Sequence, residues 1–274
     1  MAVTYQGAVD AMLGQRRSVP EPVPPVPTTR ARGRDGYVAG MDDLRSVDVG
    51  EVRLAYRVAG DPKSPPLILL HGVGSDGSSW NPVVPGLARE WRVYVPDLRG
   101  FGRSDWPGRY SFELMATDLL GFLDALGLDR VVLTGHSMGG VVSYLLALDH
   151  PDRVSALVLV ETPPPLPQRR PEPQRPDGQD GPLGFDWPVR PAIVGQVNRP
   201  DPCWWQRLAE ITAPTLVVAG GPASPFSQKE IDAMAARLPA GQLVTIAVGH
   251  GVHKEAPEEF VSVVRRFLAG VRPG

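Results

Sequence analysis

Arg130-Val131-Val132-Leu133-Thr134-Gly135-His136-Ser137-Met138-Gly139-Gly140 sets a G-x-S-x-G pattern directly after a short β-branched run, the composition of a buried parallel strand. The residues that follow, Val141 to Leu148, read as a helix. A serine on the sharp turn between strand and helix projects its hydroxyl clear of the sheet. The flanking glycines permit strained dihedrals and close backbone approach. Ser137 is therefore a candidate nucleophile.

Three further landmarks are arranged around this one. Leu70-His71-Gly72-Val73-Gly74 follows the apolar run Pro66-Leu67-Ile68-Leu69-Leu70, and Asp97-Leu98-Arg99-Gly100-Phe101-Gly102-Arg103-Ser104 follows Val93-Tyr94-Val95. Val248-Gly249-His250 comes last, after Leu243-Val244-Thr245-Ile246. In this order the four segments resemble the α/β-hydrolase superfamily from about residue 45 to the C-terminus. The resemblance implies an α/β fold: a mostly parallel, doubly wound sheet flanked by helices, with a short cap insertion. It also makes Leu70-His71-Gly72-Val73-Gly74 an oxyanion loop and His250 the terminal histidine.

Composition sets the outer bounds. A chain of 274 residues suits one α/β domain able to bury most of its apolar surface without disulfides. With 42% hydrophobic residues and a formal net charge of -2, neither a disordered chain nor a nucleic-acid partner is expected. The single cysteine, Cys203, excludes an intramolecular disulfide and points to a reducing, cytoplasmic setting. No run approaches the roughly 20 apolar residues of a membrane span, and the N-terminus lacks an apolar signal core. The expected partner is a small-molecule substrate, with no cofactor and no metal.

The prolines divide the chain. Pro20, Pro22, Pro24, Pro25 and Pro27 lie in a basic, apolar-poor stretch, read as a disordered extension over residues 1–36. The domain proper then runs over 37–274. Pro163, Pro164, Pro165, Pro167, Pro171, Pro173 and Pro176 follow a strand pattern directly, where the family inserts its cap, here about residues 163–202. Pro163 to Gln179 is too proline-rich for a helix, whereas Cys203 to Leu208 can start one. Glu51 to Val58 alternates like an exposed edge strand, and Leu67–Leu70, Val131–Leu133, Leu157–Val160 and Thr215–Val218 read as central strands. Phe112 to Leu126 reads as an amphipathic helix with Leu114, Leu119, Phe122 and Leu126 on its inner face.

The chemistry follows from the landmarks. A serine hydroxyl needs a base to take its proton, and His250 is the candidate, with His253 its rival. His71 and His136 read as loop-shaping residues. The third member is a carboxylate that fixes the imidazole tautomer. In most relatives it follows the seventh strand, but Gly220-Gly221-Pro222-Ala223-Ser224-Pro225 contains neither Asp nor Glu. Certain haloalkane dehalogenases place the acid at the end of the sixth strand instead, and that strand here ends in Glu161, 24 residues after the serine. Glu161 is the candidate acid. The backbone N–H groups of Val73 and Met138 are the candidate oxyanion donors, and Asp97 reads as a structural tether for its loop and Arg99.

These residues predict a metal-independent serine hydrolase that cleaves a small or medium uncharged ester, thioester or lactone through an acyl-enzyme. Perhydrolase and carbon–carbon bond hydrolase chemistry use the same triad. An aspartate nucleophile would imply a dehalogenase or epoxide hydrolase, which Ser137 opposes. The missing acid after the seventh strand motivates a second class, a lyase, cyclase or ligand-binding protein on this scaffold.

Overall fold

The computed structural model describes residues 43–175 and 183–271; the extension expected over 1–36 lies outside them. The chain order is β1 (Arg45–Asp48), β2 (Arg53–Ala59), β3 (Pro66–Leu70), α1 (Val84–Leu87), β4 (Arg92–Pro96), α2 (Phe112–Ala125), β5 (Val131–His136) and α3 (Met138–Asp149). It continues with β6 (Val154–Val160), α4 (Val189–Asn198), α5 (Pro202–Arg207), β7 (Thr215–Ala219), α6 (Gln228–Arg237), β8 (Gly241–Thr245), α7 (Val252–Glu255) and α8 (Pro257–Ala269). The strands form one eight-stranded sheet in the order β1-β2-β4-β3-β5-β6-β7-β8. The β1–β2 and β2–β4 pairings are antiparallel and the remaining pairings are parallel.

The continuous apolar strands are explained by burial on both faces. Leu67 and Leu69 of β3 point into a layer with Trp80, Leu87 and Phe260. Ile68 and Leu70 point into the opposite layer with Leu119, Phe122 and Leu145. α3 is buried on every side up to Leu148, so it carries no polar face. α8 is amphipathic, burying Phe260, Val263, Val264, Phe267 and Leu268 at helical spacing.

Three sequence expectations need correction. β2 is not the sheet edge, because β1 covers it; the four residues Arg45-Ser46-Val47-Asp48 are too short and polar to announce a strand. The inner face of α2 is centred on Met115, Leu119 and Phe122, with Leu114 and Leu126 only half-buried. That face also carries a charge. Asp118 is buried and receives a two-pronged bond from Arg99, with Nη2 donating to Oδ1 at 2.5 Å and Nε to Oδ2. Burial pushes the Asp118 carboxyl up, and Arg99 pulls against that shift. Asp97 does not hold Arg99. Its Oδ1 accepts the Gly77 N–H (2.8 Å) and its Oδ2 the Arg103 N–H (3.0 Å).

Three histidines, His71, His136 and His253, are also buried. Burial holds all three imidazoles below their usual range, His253 at about 3. Among the described residues no helix is long and apolar enough to cross a membrane.

Asp118→Ala strands the buried guanidinium and should destabilise the fold by about 3–5 kcal/mol. The pair Arg99→Met with Asp118→Leu should recover most of this, read as urea midpoints. The histidines predict acid lability. The unfolded chain takes up protons below about pH 6.5 that the folded chain excludes. Their contribution is therefore intact above that pH and lost as pH falls, by roughly 1 kcal/mol per pH unit for each histidine. Urea titrations at pH 7.5 and 5.0 measure the difference.

Candidate active site

β3 has β4 on one side and β5 on the other. Successive connections therefore depart in opposite directions and open a crevice at the strand C-termini. Ser137 sits there, between β5 and α3, at φ 51° and ψ −114°. Such a backbone costs a non-glycine residue on the order of 1–3 kcal/mol. It is held by the Ser137 N–H donating to the Val160 carbonyl at 2.9 Å, and by the Ser137 carbonyl accepting from Gly140 (3.0 Å) and Val141 (3.3 Å).

The loop leaving β3 lies against this turn. A Cβ on Gly72 would stand 2.7 Å from His136 Nδ1 and 3.3 Å from the Ser137 Cβ. His71 braces the same loop. Its Nε2 accepts the Leu98 N–H at 3.0 Å, so Nδ1 carries the proton and donates to the Gly72 carbonyl at 2.9 Å. Val73 and Met138 follow the two turns and line one cavity with Ser137 and His250. As the first residue of α3, Met138 has an N–H without an intrahelical acceptor. Within the described residues neither N–H donates to a backbone acceptor.

Glu161 directly follows β6, with a left-handed φ of 45° and a fully buried side chain. Its N–H donates to the Val218 carbonyl at 2.9 Å. The carboxylate accepts the Gly220 N–H on Oε1 (2.5 Å) and the Ser224 hydroxyl on Oε2 (2.5 Å). His250 Nδ1 lies 3.2 Å from the same Oε2. Nδ1 is thus the protonated nitrogen, and Nε2 is left as the basic one. The His250 side chain is 36% exposed. It is backed by the His136 ring at 4.6 Å and met edge-on by Phe226 at 5.3 Å. His136 Nε2 donates to the His250 carbonyl at 2.9 Å. His253 stacks on Trp80 at 4.1 Å, with neither ring nitrogen hydrogen-bonded among the described residues. Of the two C-terminal histidines, His250 faces both cavity and carboxylate.

The cavity measures about 520 Å³. Its walls come partly from α4 through Ile193, Val194 and Val197, and partly from the proline strap that follows β6. The strap is fastened at Arg170. The Arg170 N–H donates to Asn198 Oδ1 (2.7 Å), and its carbonyl accepts from Asn198 Nδ2 (2.8 Å). Its guanidinium stacks over Phe226 at 4.6 Å while donating to the Pro225 carbonyl at 3.1 Å. Trp204 stands outside this cavity and packs edge-on against Phe112 and Tyr144 at 6.1 and 6.3 Å. Among the described residues no group of three or more His, Cys, Asp or Glu is placed to hold a metal ion.

Sequence reading overlooked α4 and the part played by Ser224. Ala192-Ile193-Val194 with Val197 was a usable signal for the helix, hidden by Pro188 and Pro191. Nothing local marks Ser224, because its partner is 63 residues away.

Residues 65–188 match the family model described as alpha/beta hydrolase fold. An epoxide hydrolase 3 from Xenopus tropicalis is 36% identical over 141 residues, 50% of this chain and 36% of that protein. A fluoroacetate dehalogenase from Burkholderia sp. is 40% identical over 125 residues, 43% of this chain and 40% of that protein. The alignments thus span less than half of these relatives. Among solved structures, a thermophilic esterase from Thermogutta terrifontis superimposes with a TM-score of 0.69 at 29% identity, covering 84% of this chain and all of that one. Matched by the family model over residues 65–188 and in architecture along most of its length, the chain has the α/β-hydrolase fold.

Proposed function

We propose that the protein is a metal-independent serine hydrolase acting on a small or medium uncharged ester, thioester or lactone. The observation that carries this reading is the buried Glu161 carboxylate 3.2 Å from His250 Nδ1, behind a cavity lined by both His250 and Ser137. His250 Nε2 takes the Ser137 proton as the hydroxyl attacks the substrate carbonyl, then returns it to the leaving group. Glu161 stabilises the imidazolium formed in between. The Val73 and Met138 N–H groups receive the oxyanion, for which preorganised donors supply several kcal/mol. Water then attacks the acyl-enzyme with the same base.

The walls from Phe112, Ile193, Val194 and Val197 suit an apolar acyl or alcohol portion, and the described residues 163–175 and 183–202 serve as a small cap. The structural relative named as an esterase supports the ester class. The relatives named as epoxide hydrolase and dehalogenase support hydrolysis more broadly, but a serine at position 137 favours acyl transfer over alkyl displacement. The lyase or binding alternative drew its motive from the missing acid after β7, and Glu161 beside His250 favours the hydrolase over it.

Ser137→Ala should abolish p-nitrophenyl ester turnover without lowering the thermal midpoint, and a fluorophosphonate adduct should map to Ser137 by mass spectrometry. An adduct on another residue, or an active alanine variant, refutes the nucleophile. Glu161→Gln should lower kcat by about 10²-fold or more, and a loss below about threefold would make the carboxylate purely structural.

A further inference from the structure

The loop Gly220 to Pro225 holds no carboxylate of its own, yet it is shaped around one delivered from β6. A Cβ on Gly220 would stand 2.9 Å from Glu161 Cδ and 2.1 Å from the Gly249 carbonyl oxygen. Glycine is what lets the acid and the His250 loop close on each other. The Gly220 N–H takes Oε1, and the Ser224 hydroxyl takes Oε2. Ser224 Oγ also accepts the Phe226 N–H at 3.0 Å, which leaves its proton directed at Glu161.

We infer that Ser224 is a positioning residue for the acid, an inference that rests on the serine-hydrolase reading. Oε2 is shared between the Ser224 hydroxyl and His250 Nδ1. With one lone-pair direction taken by the serine, the other is presented to the imidazole. With Gly220 on the second oxygen, the carboxylate cannot rotate without breaking a bond at each end. The hydroxyl also draws charge from Oε2 and so limits how strongly Glu161 favours the imidazolium. Removing it frees the carboxylate and raises the basicity of His250. The turnover step then loses alignment, and the acid limb of the rate profile moves to higher pH. A merely architectural serine would act through Phe226, which lines the cavity, and would disturb KM alone.

The test compares Ser224→Ala and Ser224→Thr with wild type on a p-nitrophenyl ester across pH, alongside the downfield proton resonance of His250 Nδ1. Ser224→Ala is expected to lose about tenfold in kcat, with KM within about twofold. Its acid limb should shift upward and its Nδ1 resonance should move, and Ser224→Thr, which keeps the hydroxyl, should restore all of these. Wild-type kcat with an unmoved limb, or a loss confined to KM, overturns the inference. If wild type neither turns over ester nor takes the fluorophosphonate on Ser137, the hydrolase reading fails. The resonance needs no turnover, and an unchanged signal in Ser224→Ala then overturns the positioning role as well.

Discussion

A carboxylate with no access to water survives in its charged form only if protein donors replace the water it has lost. Glu161 meets that requirement with a backbone N–H, a hydroxyl and an imidazole. The three donors stand on two loops beyond β6, after β7 and after β8. One charge therefore ties three strand ends together, and the geometry of His250 follows from that tie. The Gly249 N–H to Gly220 carbonyl bond of 2.8 Å adds a second tie between the same two loops.

The reading of Ser137 and His250 as one site depended on pattern, and pattern suffices where a residue must occupy a strand exit in a defined order. Glu161 was legible only by subtraction, because the segment after β7 lacked an acid and the end of β6 supplied one. The central strands were legible because burial on both faces leaves an unbroken apolar run. β1 was not, since four residues that are mostly exposed need no apolar signature. Asp118 was the quietest case. An aspartate on the inner face of a helix implies a buried cation, but nothing in the spacing indicates that Arg99, 19 residues away, supplies it.

The strap after β6 shows composition acting through covalent geometry. Its prolines fix φ and remove backbone donors, so the segment cannot wrap the cavity as a helix. Asn198 and Arg170 supply the bonds that helix formation would otherwise have made. Because Arg170 stacks on Phe226 and Phe226 meets His250, the strap and His250 share a neighbour.

Ser137 and Glu161 are the only non-glycine residues with left-handed φ among those described, and they stand at the exits of adjacent strands. Each would adopt its backbone more easily as glycine, and each would then lose the side chain on which the site depends. Glycine at 137 would relieve backbone strain alone, whereas glycine at 161 would also strand the Gly220 N–H and the Ser224 hydroxyl, so the two strained positions differ in what their relief would leave behind.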